Sequence, residues 1–187
     1  MGIYVVGVAA EDWFDDGEGG WAETASGLDE ELGRRGLPPY RPGAGKAGFE
    51  EKLVPPMDGF VALCRVHLSS AETEMLCGWN VLVPVSLDEE VRLPVATGYT
   101  DSTVVAGAPQ ILALAQRLAA AVELPAETPE MCHNLELTMW FLEGAAGQLA
   151  AIRPGPWSED LDTAFYVALY LRAAQHSLRH GCPMTYS

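Results

Sequence analysis

TVVAGAPQILALAQRLAAAVEL, residues Thr103–Leu124, contains the change of rhythm that decides the fold. It opens on Thr103–Ala106, rich in β-branched residues and read as a short strand. Gly107 then turns the chain, and Pro109 brings a fixed φ and a missing N–H, both suited to a first helical turn. From there Ile111, Leu114, Ala115, Leu118 and Val122 recur at helical spacing. Strand gives way to helix at this point, and the sequence on either side follows the same division.

Upstream, Ile3–Ala9, Gly59–Leu68, Asn80–Val85 and Glu90–Ala96 are short, rich in Val and Leu, and bounded by turn residues, which predicts strands. SSAETEMLCGW interrupts them with a short helix that Ser69 or Ser70 can cap and Gly78 can close. Downstream, Glu130–Leu142, running on toward Gly144, and Asp160–His180 read as two further helices. The first half of the last one is apolar all round and is therefore expected in the interior. Strands first and helices afterwards predict an α+β fold: a small, mostly antiparallel or mixed sheet of about five strands packed against three C-terminal helices. Residues 1–187 are expected to form one domain, with an irregular acidic and Pro/Gly-rich excursion over about residues 11–58. Within it, Ser26 with Asp29, Leu28 and Leu32 predicts a short helix ending at Gly36, and Phe49–Leu53 a helical turn.

With 187 residues, 49% of them hydrophobic, the chain can bury one sizeable core. Twenty-six acidic residues against eleven basic ones give a formal charge of -15, which repels a phosphate backbone or an anionic bilayer. Arg34–Arg35 is the one adjacent basic pair, so nucleic-acid and membrane partners are not expected. The opening MGIYVVGVAA is too short to span a membrane and lacks the basic start of a secretory signal. Four scattered cysteines without a CxxC pair point to free thiols, and cytoplasmic residence is the simplest expectation. The apolar helices would also suit a homodimer.

The charge is not spread evenly. Residues 11–31 hold nine acidic side chains and no basic one, interleaved with Trp13, Phe14 and Trp21. Asp12, Asp16, Gly17 and Glu23 fall at the first, fifth, sixth and twelfth positions of a calcium loop, but Phe14 and Gly20 stand where further oxygen ligands belong. A solvated acidic loop anchored by its aromatics is the plainer reading. Its candidate binding surface is Asp12, Trp13, Phe14, Asp15, Asp16, Glu18 and Trp21: carboxylates to steer a basic protein partner, rings to hold it. GAGKAG, residues 43–48, has dinucleotide-fingerprint spacing without the strand and long helix that such a fingerprint needs, and reads as a turn.

Two weaker groups carry other chemistry. His176 and His180 are one turn apart near the end of the last helix, with Cys182 just beyond, a spacing that can hold a divalent metal. Histidines at a helix C-terminus also complement its dipole, and Gly181 followed by Pro183 is an ordinary stop. Cys132, His133 and Glu136 are the candidate catalytic residues: placed on a helix, Cys132 and His133 diverge, whereas His133, Glu136 and Trp140 share a stripe. The leading expectation is a non-catalytic binding or regulatory protein, inhibitor- or immunity-like, using the acidic aromatic surface. A small hydrolase with a pocket near the C-terminal helices, and a metal-binding protein, are the alternatives.

Overall fold

The computed structural model describes residues 2–17, 20–44, 48–96 and 100–187. Its strands are β1 (Ile3–Gly7), β2 (Glu50–Leu53), β3 (Val81–Val83), β4 (Val91–Leu93), β5 (Thr103–Gly107) and β6 (Met184–Tyr186). The helices are α1 (Ala10–Trp13), α2 (Ala22–Arg34), α3 (Asp58–His67), α4 (Ser70–Cys77), α5 (Ala108–Ala121), α6 (Glu136–Leu142), α7 (Ala145–Ile152), α8 (Pro156–Glu159) and α9 (Leu161–His180). The strands form one mixed sheet in the order β2-β1-β6-β3-β5-β4, in which β3 and β5 are parallel and every other pair is antiparallel. The fold is α+β, with a sixth strand supplied by residues 184–186 and five short or long helices after β5 instead of three.

The period-2 alternation of the strands divides the core in two. Leu82 on β3, Ala106 on β5, Met184 on β6 and Val5 on β1 face a large layer built from α3, α5, α6 and α9. Val81 and Val83 on β3, Val105 on β5, and Val91 and Leu93 on β4 face a thinner layer made by Leu28 and Leu32 of α2 with Trp13 and Tyr40. In the large layer α5 packs along α9, whose Ala164–Leu171 is buried on all sides. Asp160 caps α9 by accepting from the Thr163 N–H at 3.0 Å and its hydroxyl at 2.6 Å, and Gly181 ends it at φ 64°. α2 closes on a Schellman turn, with Gly36 at φ 73° and the Leu37 N–H donating to the Leu32 carbonyl at 2.8 Å.

Four local expectations are overturned. Residues 59–68 form helix α3 and not a strand, because Phe60 and Cys64 recur at i, i+4 toward the core, while Asp58 and the Arg65–His67 end suit the helix dipole. Residues 50–53 form strand β2 instead of a helical turn, since pairing with β1 in the register Ile3↔Leu53 to Val6↔Glu50 satisfies their backbone. α2 begins at Ala22, so Ser26 lies inside it and caps nothing. Finally, residues 130–135 are not helical: Asn134 and Leu135 have φ of 49° and 65°, which no helix accepts. This segment runs along the open side of β2, where the Glu50 N–H donates to the Cys132 carbonyl and the Leu135 N–H donates to the Glu50 carbonyl.

Candidate functional site: an acidic cleft beside the sheet

The loop between α1 and α2 folds back on itself. The Asp12 carbonyl accepts from the N–H groups of Asp15 and Trp21, and the Asp15 carbonyl accepts from the Ala22 N–H. Asp15 Oδ1 takes the Gly17 N–H at 3.1 Å. A Cβ on Gly20 would lie 2.1 Å from the Asp15 carbonyl oxygen, so the chain can pass here only without a side chain.

The three aromatics of the acidic segment have separate fates. Trp13 is 1% exposed and belongs to the core, stacked on Trp21 at 6.4 Å and meeting the edge of Tyr40 at 5.7 Å. It anchors the loop and cannot touch a partner. This corrects the surface expected from the sequence, and the reason is packing: the valines of β3, β4 and β5 need a large apolar cover, which one amphipathic helix does not complete. Phe14 is 50% exposed, but the Arg41 guanidinium lies 5.6 Å over its ring and is itself paired with Asp29 at 2.6 Å. Trp21 is half-buried and is among the residues that line a cavity.

That cavity, about 650 Å³, lies between the acidic loop, the start of α2 and the sheet. Asp15, Asp16 and Glu23 line it together with Trp21, while Asn80, just ahead of β3, and Thr185, in the middle of β6, give it a polar floor. No Lys, Arg or His stands among its described lining residues. The floor is held rigidly: the Val104 N–H donates to Asn80 Oδ1 at 2.7 Å and the Thr185 hydroxyl to the Asn80 carbonyl at 3.1 Å. Asp12 is exposed outside this lining, and Glu18 lies outside the described residues, as do Gly45, Lys46 and Ala47 of the GAGKAG turn. Among the described residues no three His, Cys, Asp or Glu side chains are arranged to hold a metal ion.

The second and third candidate groups meet each other. His133, brought alongside β2 by the extended segment, lies 6.5 Å from His176 between ring centroids, and His176 lies 4.3 Å from His180. His133 Nδ1 bonds to the Gly48 carbonyl, and Phe49 meets the His176 ring at 5.2 Å. His176 Nε2 is buried without a partner. Burial holds this imidazole down to about 4, and the neighbouring His180, His133 and Arg179 add to the effect, so it is neutral at physiological pH. Cys182 does not join the row. It is buried, its thiol pushed up to about 11 by burial, and its carbonyl accepts from the Ser177 hydroxyl.

His133, Glu136 and Trp140 do not form the helical stripe expected, because the helix starts only at Glu136 and leaves His133 outside it. Cys132 is buried, and its thiol is pushed well above the ordinary range by burial and by the Glu51 carboxylate. Sequence reasoning missed Glu51, which is fully buried and accepts from the N–H groups of Leu137 and Thr138 and from the Thr138 hydroxyl at 2.7–2.8 Å. Burial pushes its carboxyl up while these three donors pull it back. Its visible role is to tie α6 to β2. No family model, curated protein or solved structure matches the chain.

Proposed function

We propose that the chain is a binding or regulatory protein whose acidic cleft receives a cationic group, such as an arginine or lysine side chain presented by a basic protein partner. The observation that carries this reading is the lining of the cavity: Asp15, Asp16 and Glu23 beside the Trp21 ring, with no basic side chain among the described lining residues. The carboxylates attract a cation at long range, the indole face adds a short-range cation–π contact, and a bound guanidinium loses competing water as it enters a concave site. The loop that carries Asp15 and Asp16 is pinned by Trp13 in the core, so these charges are held in place before a partner arrives.

Isothermal titration calorimetry with an arginine-rich peptide, and with a glutamate-rich peptide of equal length, tests the proposal. Saturable, salt-sensitive binding of the first alone is expected, weakened about tenfold or more when Asp15→Asn, Asp16→Asn and Glu23→Gln are combined, and weakened again by Trp21→Ala. Equal affinity of the natural chain and the triple variant would remove the basis of the reading.

A further inference from the structure

Residues 130–135 cross the open side of β2 as a strap that is fixed at both ends. Upstream, Arg172 of α9 donates to the Thr128 and Pro129 carbonyls, each at 2.8 Å. Downstream, the buried Glu51 carboxylate holds the first turn of α6 through Leu137 and Thr138. Between these anchors the hold is slight. Two backbone hydrogen bonds join the strap to Glu50, and His133 donates from Nδ1 to the Gly48 carbonyl. Asn134 and Leu135 sit in the left-handed region that side chains rarely adopt. Cys132 turns inward and is 2% exposed, whereas Met131, His133 and Asn134 are exposed.

Beneath the strap His133 meets His176, which meets His180 in turn. The groups facing His176 are cations or become cations: His180 and Arg179 on its own helix and His133 on the strap. Arg172, one turn back on α9, is turned to Thr128, Pro129 and Gln175. Phe49, ahead of β2, meets the ring and brings no charge. The carboxylates at the ends of the strap act elsewhere, Glu130 on Arg172 and Glu136 on Glu51. A proton on His176 therefore meets no counter-charge among the described residues.

We propose that residues 130–135 are an acid-released strap: protonation of the histidine row lifts His133 and its segment off β2 while the sheet and α9 stay folded. The His176 Nε2 is buried without a partner, so a proton placed there has no acceptor while the strap covers it. Lifting the strap lets water reach the ring and moves the His133 charge away. Of the elements around the ring the strap is the one free to move, since α9 packs against α3, α5 and α6, and β2 is paired with β1. With the strap closed, burial and the neighbouring cations hold His176 down to about 4, against 6.5 for an unburied imidazole. The open form therefore binds more protons between these values, and opening is favoured progressively as pH falls from about 6.5 to about 4. Release bares the Glu50 N–H and carbonyl at the edge of the sheet and uncovers the Cys132 thiol.

The test labels the full chain with a pyridyl disulfide and follows each cysteine by mass spectrometry, dividing every rate by that of an unstructured cysteine peptide at the same pH. From about pH 7.5 to about pH 4.5 the relative rate at Cys132 is expected to rise about tenfold or more, while Cys64, fully buried in α3, stays protected. His176→Phe, which keeps a ring in place and removes the titrating group, should abolish the rise. His133→Gln, at an exposed position, should loosen the strap at neutral pH and flatten the response. Circular dichroism at both pH values confirms that each variant is folded. A relative rate at Cys132 that does not change with pH, a rise that persists in His176→Phe, or an equal rise at Cys64 would overturn the proposal.

Discussion

The two faces of the sheet are covered unequally. On one, α3, α5, α6 and α9 build a thick apolar layer that includes Phe60, Phe141, Phe165 and Tyr166. On the other, α2 with Trp13 and Tyr40 supplies a thin layer over the valines of β3 and β5. Both faces exclude water, and the thin one ends in a cleft lined by Asp15, Asp16 and Glu23 together with Asn80 and Thr185 of the sheet region. The difference teaches where a small α+β protein can place a recognition surface: a thick layer consumes its side chains in packing, whereas a thin layer leaves room at its border. One large residue, Trp13, then both completes the cover and fixes the charged loop.

Substitutions that strike one layer at a time test this division. The largest effect is expected from Phe165→Ala at the centre of the thick layer: a loss of about 4 kcal/mol in denaturant-monitored unfolding, felt by the whole molecule. Trp13→Ala should cost somewhat less, about 3 kcal/mol, because the thin layer can partly collapse onto the gap. Its signature should be local, with amide protection in residues 10–34 lost before that of α9 in hydrogen exchange. Simultaneous loss in both regions would mean that the layers are one cooperative unit.

The smallest effect concerns pH and belongs to the border of the thick layer. His176 titrates near 4 when folded, against 6.5 for an unburied imidazole. Between those values the unfolded chain binds more protons, so stability falls as pH drops from about 6.5 to about 4 and levels off below. The half-buried ring limits the contribution to about 2 kcal/mol, and His176→Phe should flatten that part of the stability curve without moving the neutral-pH end by as much.

Much of this architecture was legible where one signal dominated. The helical spacing of α5, the stop of α9 at Gly181, and the strand that opens at Thr103 all follow from side chains whose local preference and tertiary environment agree. Residues 59–68 misled because Val, Phe and Leu serve equally in a buried strand or a helix, and only the i, i+4 placement of Phe60 and Cys64 separates the two. Glu51 was hidden for another reason. In EEKL an inward carboxylate reads as surface charge, and nothing local announces the α6 amides waiting for it 86 positions on in sequence. Of the candidate site, the acidic carboxylates were legible as a cluster, but not the burial of Trp13 or the arrival of Asn80 and Thr185 beneath them. Those depend on strand order, which no local pattern encodes.

That strand order has a consequence for how the molecule assembles. β6, residues 184–186, lies in the middle of the sheet, with β1 on one side and β3 on the other. Without it the β2-β1 pair and the β3-β5-β4 group share no hydrogen-bonded neighbour. A chain made only as far as residue 183 therefore lacks the strand through which the two parts of the sheet are paired, and the segment Pro183–Tyr186 acts as the closing stitch. Folding is expected to be slow to commit and then abrupt, and a chaperone that shields bare strand edges would matter most in the interval before that stitch is made.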